Sequence, residues 1–323
     1  MSIQTTPVQT ATDRRRVQFE GSLGDRIMRA LCIGGSLIVG LALIDVVYQI
    51  VSGARPAISK LGLGFLVHTA WAPNLKHFGA LPMLYGTGVV SAMALIIAVP
   101  VSLAIAIYLS MFAPKVVRAV VGPLVELLAA IPSVIVGFFG IIVLAPLIQK
   151  IEPGLHSALG FTGIFGSGQT TGLSIFTAGL LVTVMVIPII ASLSRDLFLS
   201  VPRELKDGAE ALGATQWEVI RGVVFPTTFS GVSAAVMLGL GRALGEAIAV
   251  ASVIGGGETI SKSLFQPGNT LAARITIEIQ YIENNLQRSA LFYLAVILLA
   301  MSLTVNLLAR AVARRYDVHR AVV

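Results

Sequence analysis

The sequence has few charged residues for its length. Only 12% of its 323 residues are Asp, Glu, Lys or Arg, whereas 55% are hydrophobic. A soluble globular domain carries about 25% charged residues, so this shortage argues against a fold surrounded by water. The mean hydropathy of +0.87 agrees with a chain that lies mostly in a lipid bilayer.

Residues that build disulfides, metal sites and nucleotide sites are also scarce. Cys32 is the only cysteine, which excludes an intrachain disulfide, and the four histidines are scattered without metal-ligand spacing. The motif GxxxxGK[ST], whose backbone amides bind nucleotide phosphates, does not occur. We therefore expect no metal, no cofactor and no enzymatic site in this chain. If ATP drives the protein, a separate subunit must bind it.

Long apolar segments, in contrast, are abundant. A membrane-spanning helix needs about 20 mostly apolar residues. Segments of this kind lie at about 30–51, 84–109, 119–148, 173–194, 228–254 and 289–312. The third contains Pro132 and Pro146, so we expect a kink or an early end there. The predicted fold class is an all-α polytopic membrane protein with six transmembrane helices.

The basic residues are distributed unevenly between the predicted loops. If the N-terminus lies in the cytoplasm, the cytoplasmic side holds 15 Lys and Arg residues, the outer side holds seven, and Arg242 lies within a span. This bias predicts that both termini are cytoplasmic. It also explains the Arg14–Arg16 cluster more simply than nucleic-acid binding does. We expect residues 1–25 to form a cytoplasmic tail and 26–323 to form the transmembrane domain.

The polar loop between the fourth and fifth spans has a helical pattern. It reads SVPRELKDGAEALGATQWEVIRGVVFPTTFSG, from Ser200 to Gly231. The apolar spacing predicts an amphipathic helix, a turn and a second helix. Gly213 can close the first helix with a positive φ, and Pro226 is predicted to end the second and open the next span. Such a hairpin either lies on the membrane surface or inserts into a groove of another protein.

This loop, about 200–227, resembles the coupling motif of ABC importer permeases. The family pattern is Glu-Ala-Ala, three residues, Gly, nine residues, Ile, one residue and Leu-Pro. The corresponding residues here are Asp207, Gly208, Ala209, Gly213, Val223, Phe225 and Pro226. Aspartate keeps the acidic charge of the first place, while Gly208 weakens the first helix by up to about 1 kcal/mol. The resemblance implies that an ATPase docks on Glu204, Asp207, Ala209, Glu210, Gly213, Trp217 and Pro226.

Three further segments resemble phosphate permeases of the PstC type: Trp71–Ser110, Val125–Gly140 and GRALGEAIAV at Gly241–Val250. The resemblance implies the type I ABC importer permease (MetI-like) fold, with cytoplasmic coupling helices, in the bacterial inner membrane. It implies ATP-driven import of inorganic phosphate. The implied partners, besides membrane lipid, are a second permease subunit (PstA-type), a dimer of ATP-binding subunits (PstB-type) and an extracytoplasmic phosphate-binding protein (PstS-type).

Two charged residues lie inside the fifth apolar run. An arginine at a span centre costs about 2.5–3.5 kcal/mol, yet Arg242 lies near mid-membrane, and Glu246 follows on the same helical face. The pair could be a structural ion pair, or it could line a water-accessible path in which Arg242 attracts an anion and Glu246 limits how tightly it is held. A proton relay through Glu246 is the third interpretation. We predict that Arg242, Glu246 and the GxxxG pair Gly241 and Gly245, which permits close helix packing, line the substrate pathway.

Other functions are compatible with the same residues. A permease for molybdate, sulfate or phosphonate would have the same architecture. An ion-coupled secondary transporter would work without an ATPase, and a structural membrane subunit would contain no pathway. Binding of sulfate in preference to phosphate, or transport by the isolated chain, would distinguish the first two from the phosphate importer.

Overall fold

The structure of this protein, a computed structural model, describes residues 23–166 and 171–315, without the side chains of residues 312, 314 and 315. Most of the predicted tail, including the Arg14–Arg16 cluster, lies outside these residues. All regular secondary structure within them is helical. The α-helices are α1 Leu23–Leu61, α2 Leu81–Ile107, α3 Lys115–Ala129, α4 Ser133–Phe139, α5 Ala145–Leu159, α6 Ile175–Ser200, α7 Arg203–Ala211, α8 Gln216–Val219, α9 Phe225–Gly245, α10 Ile248–Val253, α11 Leu271–Glu278 and α12 Asn285–Arg315.

Some of these helices join, through short 3-10 or π-helical turns, into longer helical segments. Within the described residues, six such segments are long and apolar enough to cross a membrane. They are Leu23–Leu66, Leu81–Phe112, Ser133–Thr162, Ile175–Ser200, Gln216–Gly245 and Asn285–Ala311. The predicted all-α fold with six membrane-spanning helices is confirmed.

The third span differs from the predicted segment 119–148, which covers parts of two helices. α3 ends at Ala129, and the chain turns before Pro132, which has no N–H to donate to a preceding helical turn. The span-length helix therefore begins at Ser133 and runs to Thr162. α3 is a separate helix that packs against α6.

Two prolines that were expected to interrupt helices instead follow π-helical turns. Pro146 lies in the first turn of α5 after the π-turn Gly140–Leu144, and Pro226 lies in the first turn of α9 after the π-turn Ile220–Val224. A π-turn shifts the hydrogen-bond pattern by one residue, which accommodates the missing proline N–H. Both helices therefore continue, and Pro226 does not separate the second coupling helix from the fifth span.

The first part of α1, up to Gln49, forms a compact unit of its own. Its large apolar side chains are exposed, among them Leu37, Ile38 and Leu41. A helix that is apolar all round is typical of a membrane span. This segment therefore has the surface expected of a helix that contacts lipid or another membrane protein.

In the rest of the chain, α6 lies at the centre of the packing, between α2 and α9. Small residues bring these helices close together. A Cβ added at Gly179 of α6 would lie 2.6 Å from Met93 Sδ of α2, and one added at Gly239 of α9 would lie 2.8 Å from Ile190 Cδ1 of α6. Because glycine permits this close approach, the first contact holds α2 against α6, and the second holds α9, which carries the charged pair, against α6.

Candidate functional site

The charged pair lies where the fifth span breaks. α9 ends at Gly245, Glu246 has an extended backbone with φ −70° and ψ 115°, and α10 begins at Ile248. This corrects the prediction of an uninterrupted helix over 228–254. The first amides of a helix have no partner inside it, and Glu246 Oε1 accepts a hydrogen bond from the Ala249 N–H at 3.4 Å. The carboxylate therefore caps the helix that follows the break.

Arg242 and Glu246 form an ion pair across the last turn of α9. Arg242 Nη2 lies 3.2 Å from Glu246 Oε2. The two partners differ in exposure, since the Glu246 side chain is 6% exposed and the Arg242 side chain is 42% exposed. Glu246 is thus held in the protein by a backbone amide and a guanidinium, while much of the guanidinium remains open to its surroundings.

The open side of Arg242 faces a groove of about 1220 Å³ between α9 and α12. One wall is the α9 face from Ser230 to Arg242, and the other is the α12 face from Leu299 to Ala313. None of the side chains that line the groove is acidic. An anion that enters the groove would therefore meet the guanidinium of Arg242, whose carboxylate partner is Glu246. It would meet no acidic side chain on the groove walls.

Of the two predicted pathway glycines, Gly241 lines this groove, and Gly245 is the last residue of α9. Gly241 and Gly245 are exposed, and a Cβ added at either would meet no atom within 4 Å. Gly239, in contrast, faces α6. At Gly241 and Gly245, therefore, no side chain fills the space beside Arg242. Neither glycine is needed for close packing within this chain.

The coupling loop folds as a helix, a turn and a second helix. α7 is followed by Gly213 with φ +89°, a backbone conformation that favours glycine. Thr215 then begins α8 with a capping box, in which its side chain accepts from the Glu218 N–H while Glu218 Oε2 accepts from the Thr215 N–H. These local signals fix the direction of both helices.

The predicted docking residues of this loop lie mostly on its surface. Glu204, Asp207, Glu210, Gly213 and Trp217 are exposed. Ala209 is half-buried and packs with Val219 and Phe198 in the core that joins the loop to the spans, and Pro226 lies inside the helix below it. The exposed apolar side chains Leu205, Leu212 and Trp217 are 49%, 91% and 63% exposed. An acidic surface with protruding apolar side chains suits insertion into a cleft of another protein.

One basic residue joins this loop to the fourth span. Lys206 Nζ donates to the Phe198 carbonyl at 3.0 Å. Partial burial lowers the pKa of Lys206, and the nearby charges of Arg203 and Arg118 lower it further. The contact links α7 directly to the end of α6.

Comparison with known families identifies the architecture. Residues 98–318 match the model of the family described as binding-protein-dependent transport system inner membrane component. This range contains the coupling loop and the Arg242–Glu246 pair. The chain belongs to this family. It is a membrane transport component of the ABC importer class, and ATP hydrolysis takes place on separate subunits.

Curated relatives of this transport component share its length as well as its sequence. "Phosphate transport system permease protein PstC" of Mesorhizobium japonicum is 39% identical over 92% of each chain. The proteins of the same name from Pasteurella multocida and Xylella fastidiosa are 42% and 38% identical, over 87% and 98% of this chain and 89% and 98% of theirs. The resemblance found in the sequence is thus confirmed over nearly the whole chain.

Solved structures with a similar fold are those of ABC importers. A chain in the crystal structure of a bacterial alginate ABC transporter, in complex with an alginate pentasaccharide-bound periplasmic protein, matches with a TM-score of 0.59 and 16% identity, over 91% of this chain and 98% of that chain. A chain of the inward-facing MetNI methionine ABC transporter matches with a TM-score of 0.50 and 20% identity, over 74% of this chain and 94% of that chain. The predicted type I importer permease fold is confirmed.

A second arginine of the transport component was not predicted as a site residue. Arg274 on α11 is 8% exposed and forms ion pairs with Glu258 and Glu278. Its guanidinium carbon lies 5.1 Å from the centre of the Trp71 ring, which is itself buried. Gln287 Nε2 donates to Glu278 at 2.7 Å and thereby ties this network to α12. These contacts join the loop before α11, α11 itself and the start of α12, at the end of the molecule remote from the coupling loop.

Proposed function

We propose that this chain is the PstC-type permease subunit of an ATP-driven importer of inorganic phosphate in the bacterial inner membrane. The observation that carries the proposal is the Arg242 guanidinium, which is 42% exposed beside an open groove in a membrane-spanning helix. The names of the curated relatives reported above suggest the anion, since they are phosphate permeases.

In this proposal Arg242 binds the oxyanion during its passage through the membrane. A guanidinium presents planar paired donors that match two oxygens of a phosphate. Glu246 neutralises Arg242 when no anion is bound and weakens the bound state, because it competes for the same donors. Gly241 and Gly245 leave space for the anion beside α9, either alone or together with the facing helix of a second permease.

The coupling loop is the proposed contact with the ATPase. α7 and α8 contact a PstB-type dimer through residues of the coupling loop, namely Glu204, Asp207, Ala209, Glu210, Gly213 and Trp217. Pro226 lies where the loop enters the fifth span. A PstA-type permease completes the membrane part, and a PstS-type protein delivers phosphate from outside. The proposed topology places both termini and this loop in the cytoplasm.

The test measures ATP-driven phosphate uptake by vesicles that contain the complete importer with its binding protein. We expect Arg242→Ala to lower uptake roughly 10- to 100-fold, because a hydrogen-bonded charge contributes about 1.5–3 kcal/mol and its loss leaves Glu246 unpaired. Arg242→Lys keeps the charge but loses the paired donors, so we expect an intermediate rate.

Two outcomes would contradict this proposal. Normal phosphate uptake by Arg242→Ala would mean that the ion pair is structural. Wild-type uptake of sulfate in preference to phosphate would retain the mechanism but change the transported anion. The matched control is Arg288→Ala, because Arg288 is exposed at the start of α12 and does not line the groove.

A further inference from the structure

The groove beside Arg242 has a second polar region on its opposite wall. Ser302, Asn306 and Arg310 of α12 all line the groove, at intervals of four residues. Residues four apart lie on the same face of a helix and are separated by about 6 Å along its axis. The three side chains therefore form a polar stripe about 12 Å long, which faces α9.

Arg310 is the cation at one end of this stripe. Its side chain is exposed, and in the part of the chain that the structure describes it forms no ion pair or hydrogen bond with a side-chain acceptor. Arg242 differs in this respect, because Glu246 occupies some of its donors. Among the described residues, no side-chain acceptor occupies the five guanidinium N–H donors of Arg310.

The surroundings of Arg310 favour an anion. No acidic side chain lines the groove, and Leu303 and Leu307 lie on the same wall. A charge beside apolar side chains attracts an opposite charge more strongly than it would in water. Ligand sites commonly combine such apolar walls with a few convergent polar groups.

Asn306 supplies a group that distinguishes between anions. Its Nδ2 donates to the Ser302 carbonyl at 2.9 Å, which leaves the amide oxygen Oδ1 as an acceptor in the groove, one helical turn before Arg310. Phosphate near neutral pH carries at least one O–H that can donate to this oxygen, whereas sulfate carries none. The pairing of a guanidinium with a nearby acceptor therefore fits a protonated oxyanion.

We propose that Ser302, Asn306 and Arg310 form a second binding site for inorganic phosphate, between Arg242 and the cytoplasmic mouth of the groove. This inference rests on the proposed function, which supplies the anion and the orientation of α12. Phosphate that leaves Arg242 binds at Arg310 before it enters the cytoplasm. Phosphate thereby reaches the cytoplasm in two steps, each over a shorter distance. Each arginine binds it less tightly than a single deep site would.

The test uses the complete importer in vesicles whose lumen corresponds to the cytoplasm. If phosphate binds from the cytoplasmic side as proposed, unlabelled phosphate inside the vesicles inhibits the uptake of labelled phosphate. In Arg310→Gln we expect the lumenal phosphate concentration that halves uptake to rise roughly tenfold, because a charge-assisted hydrogen bond is lost. Asn306→Ala should raise it by a factor of about three, and Arg310→Lys should lie between wild type and Arg310→Gln.

Arg288→Gln is the matched control. It makes the same chemical change on the same helix, at an exposed arginine that does not line the groove. A role of Arg310 in membrane anchoring alone would leave the inhibition by lumenal phosphate equal in the two variants, and this result would reject the second site. If the wild-type importer took up no phosphate at all, the proposed function itself would fail instead.

The phosphate of a phospholipid headgroup could bind Arg310 through the same hydrogen bonds as inorganic phosphate. A separate comparison of membranes distinguishes these two ligands. Wild type and Arg310→Gln are compared in vesicles of phosphatidylcholine alone and in vesicles that also contain phosphatidylglycerol. The proposal predicts the same difference between the two proteins in both membranes. A difference that occurs only with phosphatidylglycerol would assign Arg310 to an anionic lipid and overturn the proposal.

Discussion

At the scale of single residues, two arginines in or beside the membrane-spanning helices have opposite environments. The Arg274 side chain is 9% exposed and has two carboxylate partners, whereas the Arg242 side chain is 42% exposed and has one. A buried charge needs opposite charges near it, and Arg274 has two carboxylates for this purpose, although its Nε has no hydrogen-bond partner among the described residues. Arg242 retains free donors beside an open groove, which is the arrangement expected of a ligand-binding cation.

Arg274 should therefore act on stability. We expect Arg274→Met to lower the free energy of unfolding by about 3 kcal/mol, because it leaves the Glu258 and Glu278 carboxylates without their cation. Thermal unfolding in detergent, followed by helical circular dichroism, measures the change. The control Lys262→Met removes an exposed charge from the same region and should have little effect. Equal stability of the two variants would contradict the structural role of Arg274.

The sequence contains enough information to predict one of these two pairs. Arg242 and Glu246 are four residues apart, so helical geometry alone places them on one face, and the ion pair was one of the three interpretations that the sequence left open. Arg274 and Glu258 are separated by 16 residues and a turn. Their contact depends on how the intervening loop packs against distant residues, such as Tyr85, whose hydroxyl donates to the Ser261 carbonyl, and no local pattern reveals this packing.

At the scale of helices, the structure follows the sequence where local signals end or begin a helix. The coupling loop has such signals at Gly213 and at the Thr215–Glu218 capping box. The break after Gly245 has none, because the apolar run continues to Ile254 without proline. It arises from the capping of α10 by Glu246 and from the packing of α10 against Gly137 of α4, where a Cβ would lie 3.1 Å from Ala249 Cα.

Substitutions at two glycines test whether ATPase activity depends on the turn between α7 and α8. Gly213 has φ +89°, so Gly213→Ala should cost about 1–2 kcal/mol locally and tilt α7 relative to α8. We expect the ATPase rate of the complete importer, stimulated by its binding protein, to fall several-fold.

Gly208→Ala is the matched change within α7. Gly208 does not have a positive φ, and a Cβ there would meet no atom within 4 Å, so alanine should stabilise the helix by up to about 1 kcal/mol. The ATPase rate should stay at the wild-type level or rise. A normal rate in Gly213→Ala would show that the loop tolerates a different angle between its helices.

At the scale of the whole molecule, the proposed orientation determines which surface meets which partner. It places the coupling loop in the cytoplasm and the Arg274 cluster outside. Six apolar segments were sufficient to predict the number of spans, and the bias in basic residues is the basis of the proposed orientation. The groove between α9 and α12 was not predicted, because it depends on the packing of two helices separated by about 40 residues of sequence.

Cysteine labelling tests this orientation, because the natural chain has one cysteine, Cys32, that can be replaced by serine. Thr259 and Ser200 are exposed at opposite predicted sides. In spheroplasts, we expect a membrane-impermeant maleimide to label Thr259→Cys at once. Ser200→Cys should react only after the membrane is permeabilised. The reverse pattern would invert the topology and remove the coupling loop from the reach of a cytoplasmic ATPase.

The break after Gly245 also has an electrostatic consequence. Glu246 is fixed to α10, while Arg242 belongs to α9, so a small change in the angle between these helices would separate the two charges. An arriving oxyanion could then replace the carboxylate as the counter-ion of the guanidinium. The guanidinium would be compensated both before and after this exchange, and the angle at the break would decide which anion compensates it.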